Sequence, residues 1–82
     1  MERFELKNAD TPGYWMCWDQ HTGLLCRFQE HKFNETQKTI VVDFAMFHRA
    51  RDARKKSDAL FCATAAREMA DWLLINHPEI LS

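Results

Sequence analysis

Four residues in the first half of the chain have the types and rough spacing of a metal site. Cys17, His21, Cys26 and His31 read C-x3-H-x4-C-x4-H. A tetrahedral zinc site needs four such ligands converging at about 2.0–2.3 Å, and small sites draw a cysteine pair from a tight knuckle two to four residues long. No such pair exists here. We therefore expect Cys17 and Cys26 to be small apolar strand residues, and we assign no metal and no cofactor. A thiol nucleophile is the next chemistry to consider, with Cys62 beside His48 or His77. A reactive thiol needs an electropositive, partly open surrounding, whereas Cys62 follows Phe61 at the start of the most apolar helical segment. No Gly-rich phosphate loop, G-x-S-x-G or H-E-x-x-H occurs. Asp19 has no evident partner for acid–base work. The expectation is a non-enzymatic protein without catalytic residues.

The strongest charge feature runs from His48 to Lys56. Five of the eleven Lys and Arg residues fall between Arg49 and Lys56. On a helix, Arg51, Arg54 and Lys55 lie close together at steps of three and four. With Arg49 and Lys56 they form a candidate contact for phosphates or for an acidic partner. The formal net charge is only −1, which gives no general attraction to nucleic acid or anionic lipid. Nucleic-acid binding through residues 49–56 is accordingly the alternative reading and not the leading one.

Composition supplies the leading one. Ten aromatics (six Phe, three Trp, one Tyr) stand in 82 residues. A domain of this size buries only about 60–65% of its unfolded surface. That core is thin for such an aromatic load, so part of the load is expected to meet a partner. The candidate interface is Trp15, Leu25, Arg27, Phe44 and Phe47, since aromatic, aliphatic and Arg side chains together have the composition of an interface hot spot. The expected partner is a protein, in the simplest case a second copy forming a homodimer.

The elements that must position these residues follow from periodicity and turn chemistry. Alternation of Phe4 and Leu6 with charged residues gives a strand over about 3–7. Pro12-Gly13 is a turn signal. Residues 14–20 and 24–29 are strands joined at Gly23, and a G1-bulge turn there sets Gln20 opposite Leu24. In that register Tyr14, Met16, Trp18, Leu24, Cys26 and Phe28 face the core, while Trp15, Cys17, Asp19, Leu25, Arg27 and Gln29 face the wetter side. Glu30-His31-Lys32 reads as a turn, and β-branched residues give a strand over about 38–43. Asp43 then reads as the N-cap of a weakly amphipathic helix over about 44–55, which includes Met46 as a core residue. A second helix spans about 58–76, with Phe61, Ala65, Met69, Trp72 and Leu73 on one stripe and Pro78 just beyond its end. A continuous helix over 44–76 would be roughly 50 Å long, too long for a chain this small. Two helices are expected.

The fold class is α+β: residues 1–82 form one domain, with three or four antiparallel strands followed by helices on one face. Three cysteines, an odd number, suit reduced thiols and a cytoplasmic location. The charged N-terminus has no apolar core of a signal peptide. No run approaches the ~18 apolar residues of a membrane span, so no membrane partner is expected.

Overall fold

The computed structural model describes residues 2–7, 11–47 and 59–81. Four strands form one antiparallel sheet in the order β1-β2-β3-β4: Phe4–Leu6, Tyr14–Asp19, Leu24–Lys32 and Lys38–Phe47. Helix α1, Ala59–Asn76, packs on one face of this sheet, and a 3-10 turn over Pro78–Leu81 follows it. The α+β class and the strands-first order are those read from the sequence. The basic segment Arg49–Lys56, with His48, lies outside the described residues.

Among the described residues, the turns have local causes. Tyr14 N–H donates to the Thr11 carbonyl (3.1 Å), and Gly13 takes φ 83°. With Pro12 ahead of it this is a type II turn, which requires a residue tolerant of positive φ at its third position. The β2–β3 turn differs from the expected one by a single residue. Asp19 pairs with Leu24, and Gln20–Gly23 form a four-residue loop closed by Gly23 N–H on the Asp19 carbonyl (2.9 Å). The Asp19 carboxylate accepts bonds from the His21 amide (2.9 Å) and the Thr22 hydroxyl (2.8 Å). Its side chain thus mimics a turn of backbone and starts the loop one residue early.

A one-residue slip reverses every side chain of a strand, and it does so for β2. Trp15, Cys17 and Asp19 lie beneath the helix with Leu24, Cys26 and Phe28, and Tyr14, Met16 and Trp18 lie on the far side with Leu25 and Arg27. The expected faces are therefore corrected for all of β2. Cys17 and Cys26, placed on opposite faces by the expected register, are direct cross-strand partners.

Two more segments differ from expectation. Residues 30–32 continue β3, and the turn falls on Phe33–Gln37, where Asn34 Oδ1 accepts the Thr36 and Gln37 amides, both at 2.9 Å. Strand β4 passes through Asp43 to Phe47, so no helix begins at Phe44, and a continuous helix over 44–76 is excluded. The register shifts between Arg27 and Phe28, leaving Asp43 as the extra residue of a β-bulge. There it meets Arg27, Nε to Oδ2 2.7 Å, instead of capping a helix.

The core joins all elements. Ala65, Met69 and Leu73 of α1 are buried against Phe4, Cys17, Leu24, Cys26, Phe28 and Ile40, and Ile80 closes the end. Trp72 packs half-buried on Phe4, with ring centroids 5.7 Å apart. The helix stops at His77, whose N–H still reaches the Leu73 carbonyl (2.7 Å) before Pro78 removes the next donor.

Candidate interaction surface

The sheet has two faces of unequal fate. One is covered by α1. On the other, side chains line up in rows across the strands, because register fixes which residues stand opposite. Trp18, Leu25 and Met46 form one row, with Glu5 at its β1 end. Met16, Arg27 and Phe44 form the next, and Tyr14, Gln29 and Val41 the third. Phe44 is 46% exposed, Val41 42% and Met46 39%, while Tyr14, Met16, Trp18 and Leu25 are half-buried. Among the described residues, no element packs on this face.

Near its centre stands a single ion pair. The Arg27 guanidinium is bonded through Nε and a terminal nitrogen to Asp43 Oδ2, and its carbon lies 4.7 Å from the centre of the Tyr14 ring. The pair is half-exposed. An apolar field around one neutralised pair has no net charge to repel a copy of itself.

Of the five residues read as an interface from sequence, the structure brings Leu25, Arg27 and Phe44 together here. Trp15 is not among them: it stands opposite Phe28 on the helix side and packs against the core. Phe47 pairs by its backbone with Leu24. Tyr14, Met16, Trp18, Val41, Asp43 and Met46 were missed. Asp19 was the signal for β2, since an aspartate followed by a hydroxyl three residues on is the mark of a side-chain-capped turn.

Burial pushes the Cys17 and Cys26 thiols up to about 12. Neither is a thiolate near neutral pH. Cys62, half-buried on α1, lies near Cys26. His21 is in the β2–β3 turn, and His31 stands on β3 against Phe33, so the four residues of the zinc-like pattern do not converge. His77 packs on Trp72 and bonds Glu79, not Cys62.

Asp19 is fully buried. Burial alone would raise its pKa. The Arg3 fork (3.1 and 3.0 Å), the Thr22 hydroxyl and the His21 amide outweigh that and hold it below its ordinary value. Arg3 also reaches Glu68 at 2.6 Å, tying β1 and the turn to α1.

Compared with models of known protein families, with curated proteins and with solved structures, the chain matches none. Among the described residues, no helix is long and apolar enough to cross a membrane.

Proposed function

We propose that the chain is a non-enzymatic, cytoplasmic protein-interaction module that pairs with a second copy of itself through the outer face of its sheet. The observation that carries this reading is the uncovered field of Tyr14, Met16, Trp18, Leu25, Phe44 and Met46 around one internally neutralised ion pair. Aromatic, Met and Arg enrichment is the composition of interface cores. A twofold axis through the centre of the face would set Arg27 of one copy against Asp43 of the other, so the same patch serves both sides. The odd number of cysteines, three in the chain, supports a reducing compartment.

Size sets the strength. Four strands about 4.8 Å apart and rows spanning about 17 Å along the strand outline roughly 330 Å² per copy and on the order of 650 Å² over two copies, below the ~1,000 Å² of a stable specific interface and in the range of a weak one. A weak dimer, forming in the high micromolar range, is expected. Sedimentation velocity across a concentration series is the test. The wild-type chain should shift from monomer to dimer in that range, and Phe44→Glu should remain monomeric with an unchanged melting temperature. A wild-type chain that stays monomeric at high micromolar concentration overturns the reading.

A further inference from the structure

The other side of β4 has a different open feature. In an antiparallel ladder, successive residues bond alternately to the strand on either side. Phe33 N–H donates to the Gln37 carbonyl (2.9 Å), while Glu30 N–H turns the other way to Gly13 (2.9 Å). Counting on from Gln37, Thr39 and Val41 bond β3, and the backbone groups of Ile40 and Val42 point off the sheet. Among the described residues no strand lies beyond β4. Beside this edge, on the helix side, is an open hollow of about 280 Å³. Ile40 and Val42 form its sheet wall, Ala63, Ala66 and Ala70 its helix wall, and Arg67 its rim. The alanines make the room: a larger residue at any of them would bring α1's side chains over the edge. Val42 is left 46% exposed as a result.

The geometry points to a strand-addition groove between β4 and α1 that takes an extended segment of a partner protein, with apolar side chains at alternate positions and an acidic group beside Arg67. The backbone groups of Ile40 and Val42 face solvent along this edge, and a second extended chain laid beside β4 would pair with them as an added strand. Alternation then follows, because every second side chain of an added strand would enter the hollow and its neighbours would face away. The acidic group follows from Arg67, which is exposed and makes no ion pair among the described residues. A second copy's β4 is a poorer occupant. Its one acid, Asp43, is held by Arg27 on the opposite face. The groove does not depend on self-association, since it uses the edge and the helix side of the sheet.

The test is selection of a displayed library of random peptides against the full chain, followed by amide exchange of the chain with a selected peptide. Enriched peptides should alternate apolar and polar residues and carry Asp or Glu. Binding should slow exchange of the Ile40 and Val42 amides. Ala66→Phe, which fills the hollow, and Val42→Pro, which removes an edge donor, should each weaken binding roughly tenfold or more, with thermal unfolding confirming that the variants fold. Arg67→Glu should weaken acidic peptides and favour basic ones, and Phe44→Glu should bind as the wild type does. The proposal is overturned if no peptides are enriched, or if enriched peptides repeat at helical spacing. It is also overturned if Ala66→Phe binds unchanged. Slow exchange at Ile40 and Val42 without peptide overturns it too: at all concentrations the chain's own residues fill the edge, and only at high concentration a second copy does.

Discussion

The two faces of the sheet are built from the same strands and similar side chains, yet one is a core and the other a surface. Beneath α1, Cys17, Leu24, Cys26 and Phe28 are fully or almost fully buried. On the outer face the most apolar rows end in Phe44 and Met46, each more than a third exposed. Hydrophobicity alone therefore does not say which face folds inward. The turn at Asp19 does, because it sets which alternate half of β2 joins Leu24, Cys26 and Phe28. Stability should reside on the first face and association on the second, and substitutions can separate the two.

The largest effects belong to the covered face. Phe28→Ala removes a ring that is 1% exposed and should cost about 3–5 kcal/mol, while Leu73→Ala from the helix side should cost about 2–5 kcal/mol. Chemical denaturation measures both. In a domain whose whole stability is of order 5–10 kcal/mol, either change leaves a marginal fold. A loss below about 1 kcal/mol for Phe28→Ala would mean that the helix does not seal this face.

Asp19→Asn comes next. It keeps the shape of the turn but removes the charge that Arg3 and the turn donors hold, and should cost about 1–3 kcal/mol at neutral pH. The acid limb of the stability profile tests the same group. The folded-state pKa of Asp19 lies below its ordinary value of 3.8. Its contribution is therefore complete above that value and is lost as the pH falls from there through the lower folded-state pKa. Wild-type stability should drop across that window and Asp19→Asn should show a shallower limb. Equal slopes would remove Asp19 as the linked group.

The thiols give a smaller, purely kinetic contrast. Cys17 and Cys26 are fully buried with raised pKa values, and Cys62 is half-buried. Under native conditions an alkylating reagent should modify Cys62 first, with the sheet pair protected until unfolding. Mass-mapped labelling that finds Cys17 or Cys26 modified as fast as Cys62 would place them outside the sealed core.

The sequence displayed what depends on pattern and concealed what depends on competition. The strands, the stripe of Ala65, Met69 and Leu73, and the stop at Pro78 were readable because periodicity and proline act locally. The β2 register was not, since two turns fit Asp19–Leu24 and the choice between them rests on a buried carboxylate and on Arg3, sixteen residues away. Nor was the course of residues 44–47. Asp43 has the chemistry of a helix cap, and only pairing with Arg27 across the bulge uses it otherwise. Of the interface, Leu25, Arg27 and Phe44 were legible, whereas the exchange of Trp15 for Tyr14, Met16 and Trp18 follows entirely from the one-residue slip.

The smallest effect on stability should be the most informative about the outer face. Arg27 and Asp43 form a half-exposed pair, and such pairs contribute about 0–1 kcal/mol to folding. Arg27→Asp and Asp43→Arg should therefore each melt close to the wild type. Association is a different matter if the pair is shared across a twofold axis. A chain carrying two acids, or two bases, at the centre of the face would meet its own like charges and remain monomeric. Mixed together, the two variants should restore association, because each supplies the sign the other lacks. Sedimentation of the separate and mixed variants at low salt measures this directly. A mixture that stays monomeric while the wild type dimerises would show that the twofold axis does not pass through the Arg27–Asp43 pair. The apolar rows would then carry the contact in another orientation.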